Sequence, residues 1–151
     1  MRKRIPVLFV LCLLSGLLLA GCDSPLGDAR ENGAAGPIPT AVDPPGEYAS
    51  RANPYDGDAA AVADGKATFH NNCAACHGES ARGDGPAATS LDPSPPDLPG
   101  ILANLSDGYL LWRIAEGGAL APFHSAMPAW KTILTEDQIW QVIAYLRSQS
   151  E

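Results

Sequence analysis

Between residues 58 and 151 apolar positions recur at helical spacing in three places. The clearest is Ile139, Val142, Ile143 and Leu146, one stripe at i, i+3, i+4 and i+7, flanked by Trp140 and Tyr145. Thr135 can cap this helix, Gln138 stands at the capping-box position, and Leu134 and Ile139 are placed for a hydrophobic staple. Glu136 and Asp137 favour its positive N-terminal end and Arg147 its C-terminal end. An earlier helix is expected from Asp58 as N-cap, with Val62, Gly65 and Phe69 on one face. Gly65 in mid-helix costs about 1 kcal/mol against Ala, so another helix is expected to approach it closely. A middle helix begins after Ser106, carries Tyr109, Leu110 and Ile114 on an apolar side, and ends at Glu116 before Gly117 and Gly118. Residues 92–100 are proline-rich and must be extended or polyproline II. No run alternates as a strand would, so the fold class is all-α.

The first residues obey a different pattern. Arg2, Lys3 and Arg4 precede an apolar run over 5–19, which ends in Ala20 and Gly21 before Cys22. That is the anatomy of a secretory signal, short for a membrane span of roughly 20 apolar residues. The ending Leu19-Ala20-Gly21-Cys22 resembles the lipobox of bacterial lipoproteins. The resemblance implies cleavage before Cys22 and a lipid on its thiol; several acyl chains make a stable membrane anchor. The alternatives are an ordinary signal peptide or an uncleaved anchor helix. Residues 23–57 are rich in Pro, Gly, Ala and Asp and have no helical period, so they read as a flexible tether. Glu47 to Tyr55, which contains Tyr48 and Tyr55, could instead pack onto the folded part. The expected organisation is a signal peptide at 1–21, an anchored tether at 22–57 and one small domain at 58–151.

The chemistry concentrates in Cys73-Ala74-Ala75-Cys76-His77. Cys-x-x-Cys-His is the attachment signature of c-type haem. Two thiols on one edge of the ring add across its vinyl groups, and the next residue points an imidazole at the iron. A thioredoxin-like dithiol would need a strand–helix–strand setting, which is absent here. Structural zinc would need a fourth ligand, and beyond the motif only His70, His124 and carboxylates are on offer. Cys12 leaves with the signal, Cys22 is assigned to lipid, and Cys73 and Cys76 to haem, so no disulfide is expected.

Loss of Arg2, Lys3 and Arg4 leaves 7 basic residues against 17 acidic ones, a formal charge of −10. Such acidity argues against nucleic acid and against adhesion to anionic lipid. It suits a redox partner with a basic docking patch, or simply solubility.

The domain resembles a class I cytochrome c. Three features carry the likeness: Gly65-x-x-x-Phe69-x-x-x-Cys73 leading into the haem motif, Val142-Ile143-Ala144-Tyr145-Leu146 in the last helix, and a methionine well downstream of the motif. The resemblance covers roughly residues 58–151. It implies a cytochrome c fold with crossed terminal helices and one covalent haem c. It also implies His77 and Met127 as axial iron ligands, Met127 lying in a Met-Pro loop before the last helix. A thioether in the sixth position raises the potential relative to a second imidazole. His124 is the competing ligand, and His70 is expected on the surface. The free nitrogen of His77 needs an acceptor. The resemblance places it at the carbonyl of Pro86 in Gly83-Asp84-Gly85-Pro86, which could otherwise be a plain turn. Arg113, Trp112 and Trp130 could reach a haem propionate or serve only packing. The implied function is single-electron transfer between redox proteins, not catalysis. The alternatives are a haem enzyme or gas sensor with an open iron face, and a fixed subunit of a larger dehydrogenase or oxidase.

Overall fold

The computed structural model describes residues 42–149. The signal peptide, Cys22 and tether residues 22–41 lie outside the described residues. Within them the chain is all-α: helices α1 (Gly46–Ala49), α2 (Ala59–Asn72), α3 (Ala74–His77), α4 (Asp107–Glu116) and α5 (Glu136–Ser148), with short 3₁₀ turns at Ala88–Ser90, Leu102–Asn104 and Trp130–Thr132 and no strand.

Each longer helix starts on the side chain expected to cap it. Asp58 Oδ1 accepts from the amides of Ala60 and Ala61 at 2.8 and 3.1 Å. Ser106 Oγ accepts from Tyr109 N at 3.1 Å. Thr135 and Gln138 exchange bonds in a complete capping box. These contacts satisfy amides that an α-helix leaves without internal partners. Gly117 ends α4 with φ +74°, a left-handed conformation that disfavours a side chain.

The core forms where α2 meets α5, the most extensive contact between described elements. Gly65 lets the two backbones touch at Gln141 and Val142, as its mid-helix position suggested. Phe69, Leu102, Leu111, Ile139, Trp140, Val142 and Ile143 are almost wholly buried. Burial of each large apolar side chain stabilises the fold by about 1.5–3 kcal/mol. Trp140 and Tyr145, placed beside the stripe by the sequence, are themselves core residues. Arg147 ties the end of α5 to the start of α4: its guanidinium meets Asp107 Oδ1 at 2.7 and 3.1 Å and donates to Leu105 O at 2.6 Å.

The packed structure extends upstream of the expected boundary at residue 58. Val42, Tyr48 and Tyr55 pack against the core, in line with the alternative raised for Glu47 to Tyr55. Gly108 in α4 touches the Tyr48 carbonyl, and a Cβ there would sit 3.0 Å from its carbon. Asn53 Oδ1 accepts from the Tyr55 amide at 3.0 Å, while its backbone amide donates to Asp107 Oδ2 and its side-chain amide to the Trp140 carbonyl, both at 3.0 Å. Arg51 pairs with Glu136 and stacks over the Trp140 ring. Composition marks this segment as poor in large apolar residues, but a few long-range polar bonds hold it down.

Candidate functional site

Cys73 closes α2 and opens α3. Its carbonyl accepts from the amides of Cys76 at 3.1 Å and His77 at 2.9 Å. This one-turn geometry brings the two thiols and the imidazole to the same cavity. Gly78, at φ +80°, stops the turn. The chain then folds back over the motif: Gly83 N donates to His77 O at 2.8 Å and Ala87 N to Ala75 O at 2.9 Å. A Cβ at Gly85 would lie 2.6 Å from Ala75 O and 2.7 Å from Ala74 O, so only glycine lets the strand of loop pass there.

The cavity has a volume of about 420 Å³. Cofactor pockets span roughly 300–1,000 Å³. Cys73, Cys76 and His77 line it, and so does Met127 from the loop before α5. Most of the remaining lining is apolar, including Phe69, Pro95, Leu98 and Leu110. The extended prolines thus wall the cavity, as residues 92–100 were expected to. His124 is exposed and lines no part of it.

Electrostatics separates the alternatives for the motif. Burial pushes the Cys73 thiol up to about 11, with Cys76 adding to the shift. A reactive dithiol needs the opposite, a depressed thiol pKa. Cys73 and Cys76 are not joined to each other, and no strand flanks them among the described residues. Among the described residues no group of three or more His, Cys, Asp or Glu side chains could hold a metal ion, so zinc lacks its ligand set. Burial holds the His77 imidazole below its ordinary value, in the neutral form that binds metals.

Two buried polar atoms in the site have no hydrogen-bond partner: His77 Nδ1 and the Tyr109 hydroxyl. The first corrects an expectation. The Gly83–Pro86 loop does cover the motif, but Pro86 is exposed and its carbonyl does not accept from His77. The ring is held instead by packing on Phe69, with centroids 6.5 Å apart, and Phe69 packs on Tyr145 at 5.4 Å. The second was not singled out by the sequence, where Tyr109 belongs simply to the apolar side of α4. The available signal was a tyrosine where Phe or Leu would pack equally well, since a buried Tyr normally spends its hydroxyl on a partner. Burial raises the Tyr109 hydroxyl and nearby Arg113 opposes the shift. Arg113 also lines the cavity, with its guanidinium 3.5 Å from the centroid of the Phe123 ring. Trp130 lines the cavity, whereas Trp112 is buried between Tyr109 and Phe123 and does not reach it. His70, expected on the surface, is only 33% exposed in its side chain; it pairs with Glu79 at 2.6 Å and packs on Phe69.

An apolar cavity with two thiols and a neutral imidazole on its wall, a thioether from another loop and an unsatisfied hydroxyl fits haem c with its carboxylates. Haem c, when bound, supplies an iron that gains or loses one electron.

The Cytochrome c family profile matches residues 62–150. The chain is 35% identical over 105 residues to the Cbb3-type cytochrome c oxidase subunit CcoP of Cereibacter sphaeroides, covering 66% of this chain and 31% of that protein. It is 33% identical over 106 residues to the CcoP of Azospirillum brasilense, covering 68% and 33%. This chain therefore spans about a third of the length of these relatives. Among solved structures it is similar to cytochrome cL of the marine methylotroph Methylophaga aminisulfidivorans, with 28% identity, a TM-score of 0.49, and coverage of 64% of this chain and 58% of the other. The motif, the helical fold and the family match agree: the chain belongs to the cytochrome c family, as a class I c-type cytochrome.

Proposed function

We propose that this protein is a membrane-anchored, mono-haem electron carrier working outside the cytoplasmic membrane. The observation that carries the reading is that Cys73, Cys76, His77 and Met127 all line one cavity. In this assignment Cys73 and Cys76 would hold haem c through thioether links, and His77 and Met127 would supply its iron ligands; a thioether ligand would favour the reduced metal relative to a second imidazole. Tyr109 and Arg113 would face the haem carboxylates. The mostly apolar lining would lower the local dielectric around the metal, one of the levers that set its potential.

Cys22 is the lipid attachment site in this reading, and the acidic exported chain meets partners with basic docking patches. None of the helices in the described residues is long and apolar enough to cross a membrane. Replacing Cys22 by Ser should release the haem protein from membranes and remove the lipid mass; continued membrane retention counts against the anchor.

The oxidised protein should show the weak near-infrared sulfur-to-iron band and bind cyanide slowly. Loss of that band in Met127→Ala confirms the ligand; rapid cyanide binding by the wild type favours an open-faced enzyme or sensor. A second reading, a fixed subunit of an oxidase complex, is favoured by the likeness to CcoP. Co-purification in mild detergent with other subunits would support it over a free carrier.

A further inference from the structure

Three residues far apart in sequence form one hydrogen-bonded chain beside the site. Tyr48 Oη, from the segment before the first long helix, donates to Glu116 Oε1 at 2.7 Å. Lys131 Nζ donates to the same oxygen at 2.8 Å and lies 2.7 Å from Oε2. Glu116 is the last residue of α4, and its side chain is only 23% exposed. Lys131 sits in the 3₁₀ turn four residues after Met127.

The same corner holds the Met127 loop by its backbone. Gly118 N donates to Met127 O, and Ser125 N donates to Gly118 O, both at 2.8 Å. A Cβ at Gly117 would lie 2.7 Å from Met127 O and 2.6 Å from the Pro128 carbonyl carbon. Gly117 and Gly118 thus do more than stop α4: they are the surface on which the loop rests. Glu116 immediately precedes that surface, and Lys131 immediately follows the loop. Tyr48 bonds the same carboxylate oxygen that Lys131 does.

We infer that Tyr48, Glu116 and Lys131 are positioning residues that latch the Met127 loop onto the end of α4, so the N-terminal segment 42–57 controls how readily the sixth ligand leaves. The inference rests on the reading of Met127 as that ligand. A carboxylate shared by an ammonium and a phenol is a charge-assisted pair of bonds, stronger than neutral ones. Breaking either end frees one side of the loop while leaving the α2–α5 core untouched.

The test uses the full haem-loaded chain and the variants Tyr48→Phe, Lys131→Met and Lys131→Arg. Two rates are read: exchange of the Gly118 amide hydrogen, and binding of cyanide to the oxidised protein. Tyr48→Phe and Lys131→Met should raise both by about tenfold, the equilibrium equivalent of one charge-assisted bond, with amides in α2 and α5 unchanged. Lys131→Arg should restore wild-type rates. Wild-type rates in all variants overturn the latch, as does acceleration spread evenly through α2 and α5. If the wild type lacks the near-infrared band and Met127→Ala leaves its spectrum unaltered, the ligand assignment has failed instead. The Gly118 exchange rates still decide the latch in that case, because they do not depend on what binds the iron.

Discussion

Gly65 lies so close to Val142 that a Cβ added at Gly65 would sit 2.9 Å from the Val142 amide nitrogen. The neighbour is backbone, so no side chain can swing aside. Gly65→Ala gains about 1 kcal/mol of helix propensity. Overpacking costs about 1–3 kcal/mol, and more where backbones must part. The expected net effect is a loss of about 2 kcal/mol, read as a lower urea midpoint at unchanged slope for the haem-loaded protein. An unchanged or higher midpoint would show that α2 and α5 can separate freely.

Arg147 cannot be replaced conservatively. Its guanidinium serves Asp107 and the carbonyls of Leu102 and Leu105 together. A lysine ammonium has no planar fork to reach all three. Arg147→Ala should destabilise by about 1.5–3 kcal/mol, the range for bonds to a charged group, and Arg147→Lys should recover only part of it. Denaturant titration checks both.

The polar latch predicts a pH window. Burial, then the bond to Glu116, raises the Tyr48 phenol to about 12, with the charges of Glu116, Glu47 and Glu136 adding. The folded state therefore holds this proton more tightly than the unfolded chain. Its contribution is complete below the ordinary value of 10 and is lost as pH rises through about 12. Glu116 runs the other way: bonds from Lys131 and then Tyr48 depress its carboxyl pKa. Its contribution is present above the ordinary carboxylate range and is lost on acidification through the depressed value. Melting temperatures followed from neutral to strongly alkaline pH should fall between 10 and 12, and Tyr48→Phe should flatten that fall.

Covalent attachment gives a test independent of colour. With Cys73→Ala, mass under denaturing acid should still show haem on the chain through Cys76. The double change Cys73→Ala/Cys76→Ala should return bare polypeptide mass. A zinc or dithiol motif would give no haem mass in any variant.

Much of the domain could be read from sequence because its determinants are local. Asp58, Ser106 and the Thr135–Gln138 box cap helices within three residues of themselves. The stripe on α5 repeats at the helical period, and the haem motif is contiguous. The segment 42–57 was harder. Tyr48 meets Glu116 across 68 positions and Asn53 meets Trp140 across 87, with no periodic pattern to announce either. Only the tyrosines in an otherwise Pro- and Gly-rich stretch hinted that it would dock. His70 was misplaced for the same reason: its partner Glu79 lies beyond the haem motif, on a turn whose course depends on Gly78. For Pro86, the loop followed its expected route while its carbonyl did not reach His77 Nδ1.

The cavity has a further consequence for how this protein is born. A group filling about 420 Å³ of largely apolar space would supply core that this small domain does not make from its own side chains. The ribosome's product alone is therefore an incomplete solid, with part of its interior written in porphyrin rather than amino acids. Joining the two would therefore complete the packing as well as the chemistry.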